Sequence, residues 1–236
     1  MLDVAIRRAD GTAVVDWQHV GVRTAPPLPV APALRTILPD GLRRGSTVSV
    51  GGSLSLLFAL LGAASTDGAW CALVGFPRVS AEAAREYGVD LGRLALVPAA
   101  GSGWTTAVGA LLDAVDVVAV RPPAGRGLVP GDVRRLAARA RSKDAVLMPF
   151  LAGSTAGSAW PAADVRLQAG EGVWSGIGSG TGRLRGRRVE VSAGGRGASA
   201  RPRSAELWLP APGGGVAEAP PAVSGVPLAP VVELAG

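Results

Sequence analysis

The segment that most restricts the fold of this chain is residues 45–61, which read GSTVSVGGSLSLLFALL. A short apolar run at residues 47–50 leads into a glycine pair, and an apolar helical pattern at residues 54–64 follows directly. A phosphate-binding loop requires this order of strand, glycine turn and helix, because backbone N–H groups then face a phosphate at the start of the helix. The segment therefore predicts a nucleotide-binding type of α/β domain.

The chemistry of a working phosphate loop is missing from the same segment. Such a loop follows G-x-x-x-x-G-K-[ST], in which the lysine reaches the β and γ oxygens and the hydroxyl holds Mg²⁺. Here Gly51 and Gly52 are followed by Ser53, and the single lysine of the chain is Lys143. The planar fork of an arginine does not replace the compact ammonium of that lysine. We interpret Gly51, Gly52, Ser53 and Ser55 as a degenerate phosphate-loop region and expect no cofactor.

Composition limits the other kinds of site. One cysteine, Cys71, excludes an internal disulfide and a cysteine-based metal site, and its apolar surroundings favour a buried core residue. One histidine, His19, excludes a histidine-rich metal centre, so we expect no metal. No apolar run approaches the ~18 residues of a membrane helix, and the first residues lack the apolar stretch of a signal peptide. We therefore expect a cytoplasmic protein.

Between residues 33 and 210, short apolar runs alternate with helical patterns. Strands are predicted at residues 47–50, 69–74, 94–98, 116–120 and 145–150, and helices at residues 54–64, 80–87, 105–114 and 130–141. This alternation indicates a mostly parallel sheet flanked by helices. The later runs at residues 164–167, 187–191 and 205–209 alternate apolar with polar positions, which predicts an antiparallel extension of the sheet.

Two segments flank this α/β domain of residues 33–210. Residues 1–32 are mixed in composition and end in a proline-rich stretch, which predicts an N-terminal arm and linker. Residues 211–236 are rich in proline, glycine and alanine and nearly uncharged, so we expect a flexible tail that cannot fold alone. Its valines and leucines leave two alternatives open, a segment that docks on a partner and a remnant without a role.

The basic residues are unevenly distributed. The chain has a formal net charge of +6, and residues 181–203 hold seven arginines against one acidic residue, Glu190. Clustered arginine on a nearly neutral body indicates a polyanionic partner, with nucleic acid first. The alternatives are an acidic protein partner and an ordinary solvated surface. We expect one basic surface on the C-terminal sheet that binds single-stranded DNA or a partner protein, formed by Arg183, Arg185, Arg187, Arg188, Arg196, Arg201 and Arg203.

Several stretches resemble the core of RecA recombinases. Residues 33–50 (ALRTILPDGLRRGSTVSV) resemble the segment that leads into the phosphate loop, and residues 84–98 (AREYGVDLGRLALVP) resemble a connection between two core strands. Residues 115–120 (VDVVAV) resemble the Walker B strand, and VEVSAGG and AELWLP resemble the C-terminal core strands. The resemblance implies a RecA-like core with a C-terminal antiparallel extension.

The chain departs from RecA at three positions together. The phosphate loop lacks its Gly-Lys-Thr, Arg121 stands where the Walker B carboxylate belongs, and Pro77 lies where RecA has its catalytic glutamate. This combination resembles the ImuA-type mutagenesis accessory proteins, most closely the actinobacterial ImuA-prime branch. The resemblance implies a non-catalytic subunit in damage-induced translesion synthesis, associated with the nucleoid after DNA damage. Its implied partners are an ImuB-like inactive Y-family polymerase and, indirectly, an error-prone C-family polymerase.

Other hypotheses stay open at the level of sequence. The chain could be an ATPase with an atypical loop, in which Arg43 or Arg44 replaces the lysine, or a regulatory inhibitor that pairs with a filament-forming protein. Trp104 and Trp160 lie in Gly/Ser-rich segments, where a tryptophan either anchors a ligand from an exposed position or folds back onto the domain.

Overall fold

The computed structural model describes residues 7–8, 26–123, 128–151, 160–161, 163–177, 182–196 and 201–220. Within these residues the strands are β1 (Arg7–Arg8), β2 (Val48–Gly51), β3 (Cys71–Val74), β4 (Leu94–Val97), β5 (Val117–Val120), β6 (Val146–Leu151), β7 (Val165–Ile177), β8 (Gly182–Gly195), β9 (Arg203–Trp208) and β10 (Ala217–Glu218). The helices are α1 (Leu54–Thr66), α2 (Ala81–Glu86), α3 (Trp104–Leu112) and α4 (Pro130–Ser142), with short 3-10 turns at Pro32–Leu34, Leu91–Arg93 and Gly101–Gly103.

All the strands belong to one sheet, in the order β1-β4-β3-β5-β6-β2-β7-β8-β9-β10. The strands from β4 to β7 in this order run parallel, and β2 pairs with both β6 and β7. From β7 onward the pairing is antiparallel, as it is between β1 and β4 at the other edge. The mostly parallel sheet with a C-terminal antiparallel extension is therefore confirmed.

The parallel strands are apolar on both faces because helices cover both. One core packs under α1 and α2 and includes Leu57, Leu60 and Leu73. The other packs under α3 and α4 and includes Val108 and Val118. The apolar face predicted for α4 is buried as expected, through Val133, Leu136, Ala137 and Ala140.

The strands of the C-terminal hairpin are longer than their sequence pattern predicts. β7 and β8 extend well past the predicted residues 164–167 and 187–191, into stretches dominated by glycine and arginine. These stretches have little apolar alternation because most of their side chains are exposed. A bulge between Ala169 and Gly172 shifts the register by one residue, and the ladder then continues toward Ile177. Cross-strand hydrogen bonds, and not burial of side chains, therefore stabilise the outer half of this hairpin.

The folded part of the chain is wider than residues 33–210. Leu28 and Val30 are buried, and Leu28 exchanges two backbone hydrogen bonds of 2.9 Å with Leu42. At the other end Ala211 is buried and β10 pairs with β9. The arm and the tail thus begin further out than the sequence predicts, because short apolar pairings anchor these ends; residues 1–6, 9–25 and 221–236 lie outside the described residues. Of the helices that the structure describes, none combines the length and the apolar character that crossing a bilayer requires.

Candidate functional site

The glycine turn lies at the carboxyl end of β2, near the middle of the sheet. Only Gly52 and Ser53 separate β2 from α1, and the Ser53 hydroxyl caps the helix by accepting from the Leu56 N–H at 3.4 Å. A phosphate loop places four residues between its two glycines, whereas Gly51 and Gly52 are adjacent here. The turn is therefore too short to wrap a triphosphate.

Strand β7 packs directly against this turn. A Cβ placed on Gly51 would lie 2.1 Å from Gln168 Oε1, and a Cβ on Gly52 would lie 2.2 Å from the Ala169 carbonyl oxygen. Gln168 Nε2 donates a 2.9 Å hydrogen bond to that same carbonyl, which holds the side chain over the turn. The absence of a side chain at both glycines allows the close approach of β7. At Gly52 the backbone also has a φ of +80°, which favours glycine.

The neighbouring strand ends carry aromatic and cationic side chains. After β3, the buried Phe76 packs on Phe150 with ring centroids 5.6 Å apart, and Pro77 is exposed. After β5, Arg121 is exposed, and its carbonyl oxygen would lie 2.3 Å from a Cβ on Gly75. Neither strand end supplies the carboxylate that would hold Mg²⁺. In the described part of the chain, no group of three or more His, Cys, Asp or Glu residues is arranged to hold a metal ion.

The fourth residue of the degenerate loop, Ser55, lies inside α1 and is half-buried. Burial raises the pKa of the nearby Tyr87, while the Ser55 hydroxyl and the Arg187 guanidinium oppose that shift. Ser55 therefore faces the packing between α1, Tyr87 and the C-terminal sheet rather than a phosphate site.

The two arginines considered as lysine substitutes lie at the opposite edge of the sheet. Arg44 Nη1 forms a 2.6 Å ion pair with Asp116 Oδ1, and Asp116 also accepts from the Trp70 N–H at 2.9 Å. Arg43 lines a cavity at the amino end of β2. Neither side chain lies at the glycine turn, since both residues precede β2 and the turn follows it.

The predicted single basic surface is divided into two groups, which corrects that expectation. Arg183, Arg185, Arg187 and Arg188 lie on the outer half of the β7–β8 hairpin. Eight residues of extended chain separate Arg188 from Arg196, a distance of about 26 Å. The local clustering in sequence therefore does not become clustering in space, because a long strand carries the arginines apart. Their binding to nucleic acid or to a partner stays a prediction.

The second arginine group surrounds a cavity of about 270 Å³ at the amino edge of the sheet. Arg196, Arg201 and Arg203 line it together with Arg43, Asp40 and Asp164. The Asp164 carboxylate accepts from the Thr47 N–H at 2.8 Å, and Arg196 donates to the Pro161 carbonyl. These contacts hold the acidic and basic walls of the cavity in place.

For Trp104 and Trp160 the structure selects one of the two alternatives that the sequence left open. Trp104 begins α3 and Trp160 is completely buried, so both fold back onto the second core. Among the tryptophans that the structure describes, Trp174 is the exposed one, with 48% of its surface accessible, in the outer half of β7 opposite Arg187. Its signal in the sequence was an aromatic residue set among glycines (GEGVWSGIG), without the apolar alternation that would bury it.

Comparison with known proteins places this geometry among RecA-like folds. The family model described as the MT3502 N-terminal domain matches residues 36–161. The uncharacterized protein Rv3395c of Mycobacterium tuberculosis (strain H37Rv) is 34% identical over 110 residues, which is 47% of this chain. Because the match covers 53% of that protein, the chain spans about half the length of the curated relative. The crystal structure of the RadB recombinase shares the fold, with a TM-score of 0.58 and 13% identity over 80% of this chain and 97% of that chain.

Proposed function

This chain belongs to the MT3502 N-terminal domain family, and we propose that it is a non-catalytic RecA-like accessory subunit of a damage-induced translesion synthesis complex. Its partner in this proposal is an ImuB-like inactive Y-family polymerase, through which it assists an error-prone C-family polymerase. The complex acts in the cytoplasm, on the nucleoid after DNA damage.

The observation that supports the non-catalytic part of the proposal is the packing of Gln168 and β7 against the glycine turn. Phosphoryl transfer in this kind of fold depends on a wrapped phosphate, a lysine and carboxylates that support Mg²⁺. The turn here is short and covered on one side by β7, Arg121 is a cation, and Pro77 cannot activate water. A RecA-like sheet that keeps its core without this chemistry is suited to serve as a scaffold.

The sequence resemblance suggests the complex in which this scaffold would act. The stretches that resemble RecA follow one another in order from residue 33 to residue 210, and the three departures from RecA are those of the ImuA type. The structure of the RadB recombinase supports the RecA-like part of this proposal through its fold. The partner and the mutagenesis role rest on the resemblance alone.

Co-expression with the ImuB-like protein of the same organism tests the proposal. We expect the two full-length chains to elute as one complex in size-exclusion chromatography. Deletion of the gene for this chain should lower the mutation frequency after ultraviolet irradiation, while the growth of undamaged cells stays unchanged. Separate elution together with an unchanged mutation frequency would overturn the proposal.

A further inference from the structure

The outer half of the β7–β8 hairpin projects beyond the rest of the sheet. Pairing of β2 with β7 ends at Gln168, and the chain after β9 stays hydrogen-bonded to β8 only as far as Arg187. Beyond these points the two strands pair with each other as far as Ile177 and Gly182. On one face Trp208 and Pro212 still pack over Gly186, whereas Trp174 on the other face is exposed.

One face of the ribbon carries an indole between two arginine side chains. Trp174 pairs across the strands with Arg187. A Cβ on Gly172 would lie 2.3 Å from Arg187 Nε, and a Cβ on Gly176 would lie 2.8 Å from Arg185 Cγ. The two arginines thus lie beside the glycines that stand two residues before and two residues after Trp174.

Arginines outnumber acidic residues around this row. Residues 171–190 contain four arginines, against Glu171 and Glu190 at the two ends of the segment. Arg188 is neutralised by the Glu206 carboxylate, but no described carboxylate forms an ion pair with Arg183, Arg185 or Arg187. Uncompensated guanidinium groups on a projecting ribbon attract an anion with several charges.

We propose that the row Arg185–Trp174–Arg187 binds a single-stranded nucleic acid. The indole stacks on an unpaired base, and the two guanidinium groups bind the phosphates on either side of it. Stacking on a flat ring accepts every base, so the site has no sequence preference. The inference gives the proposed accessory subunit a ligand, but the row itself does not depend on the polymerase-like partner.

The exposed aliphatic residues Val173, Ile177 and Leu184 on the same ribbon would also fit a protein. The unpaired arginines beside an exposed indole favour nucleic acid, because each phosphate offers a charge to a guanidinium and each base offers a face to the ring. An acidic protein partner is therefore the competing outcome of the test.

The test measures fluorescence anisotropy of labelled oligothymidine and of an abasic oligonucleotide of equal length with the full-length protein. Trp174→Ala should weaken binding of oligothymidine at least about fivefold and leave binding of the abasic strand unchanged. R185Q/R187Q should weaken binding of both strands and reduce the slope of log K against log salt by about 1.4. Oligouridine of the same length distinguishes RNA from DNA.

R134Q/R141Q is the matched control, since it removes the same charge from two exposed arginines of α4, the helix that packs on the second core. We expect this control to retain nearly wild-type affinity and all variants to melt at the wild-type temperature. If the control weakened binding equally, the effect would reflect the net charge of the protein, and the proposed site would be wrong. Absence of oligonucleotide binding at low salt would also overturn it, and loss of the ImuB-like partner in Trp174→Ala would then assign the row to a protein. Binding of the ImuB-like partner by the wild-type chain is measured in a separate experiment. Failure of the proposed nucleic-acid site can therefore be distinguished from failure of the proposed accessory function.

Discussion

At the scale of single residues, Gly52 determines what the turn after β2 can accommodate. Its φ of +80° lies in the left-handed region, and its missing side chain leaves room for the Ala169 carbonyl and Gln168. In a phosphate loop the glycines open the backbone to a ligand. Here they let a neighbouring strand approach, so the same residue type serves packing.

Gly52→Ala should therefore destabilise the fold by about 3 kcal/mol, since backbone strain and a collision with β7 add together. Gly68→Ala is the control, because Gly68 has a φ of +99° but nothing within 4 Å of its Cβ position. It should cost only about 1 kcal/mol, from strain alone. Urea denaturation measures both. Equal losses would mean that β7 does not close on the turn.

Cys71 gives the fold a dependence on alkaline pH. Burial, with a smaller contribution from the charge of Asp116, raises the pKa of this thiol from 9.0 to about 12. The folded state thus keeps a proton that the unfolded state releases above pH 9. The stability that this proton contributes is fully present below pH 9 and is lost as the pH rises toward 12.

Between pH 9 and pH 11 the wild-type free energy of unfolding should fall by up to about 1.4 kcal/mol per pH unit more steeply than that of Cys71→Ala. Urea denaturation at several pH values gives the two slopes. The variant has a lower baseline stability because it leaves a small cavity, so the difference in slope is the measured quantity. Parallel slopes would show that Cys71 does not stay protonated in the folded state.

At the scale of elements, local patterns predict the parallel strands and α4 because burial imposes their periodicity. The strands 117–120 and 146–151 are apolar throughout, so their position and type follow from local sequence. The length of β7 and β8 depends instead on cross-strand hydrogen bonds between distant residues. The contact of Gln168 with Gly51 and the separation of the arginines into two groups depend on the length of β7 and β8. No local sequence pattern predicts these two features.

The short strand β10 carries a prediction at the same scale. Val216 packs on the first core and the Ala219 N–H donates to the Glu206 carbonyl at 3.0 Å, so truncation after residue 212 removes folded structure. We expect that truncation to lower the melting temperature by several degrees, at about 2–4 °C per kcal/mol. Truncation after residue 220 should leave the melt unchanged, because the removed segment is proline-rich and nearly uncharged and is not expected to fold alone. Calorimetry of both truncated chains and of the full-length protein measures these melting temperatures. Equal values for all three would show that β10 does not stabilise the fold.

The longer truncated chain also tests whether the last residues dock on the ImuB-like partner. If they do, the chain that ends at residue 220 should lose co-purification with that partner while it keeps its melting temperature. Retained co-purification would place the contact on the folded part instead.

At the scale of the whole molecule, the features that argue against nucleotide chemistry come from several strands along one edge of the sheet. The turn is short and packed by β7, β5 is followed by Arg121, and β3 is followed by the Phe76–Phe150 pair and Pro77. Because these features come from different strands, a substitution that reverses one of them leaves the other two in place. The RecA-like sheet persists since its stability comes from the two cores and not from the site.

We therefore expect neither the wild-type chain nor Gln168→Ala to bind ATP in isothermal titration with Mg²⁺. The substitution removes the side chain that lies over Gly51, but it supplies no lysine and no carboxylate, so the phosphates would still lack their cationic and metal support. A RecA protein with an intact phosphate loop, titrated under the same conditions, is the positive control. A low-micromolar Kd for the wild-type chain would contradict the prediction and favour an ATPase with an atypical loop. A low-micromolar Kd for Gln168→Ala alone would show that packing by β7, and not the missing side chains, keeps the nucleotide out.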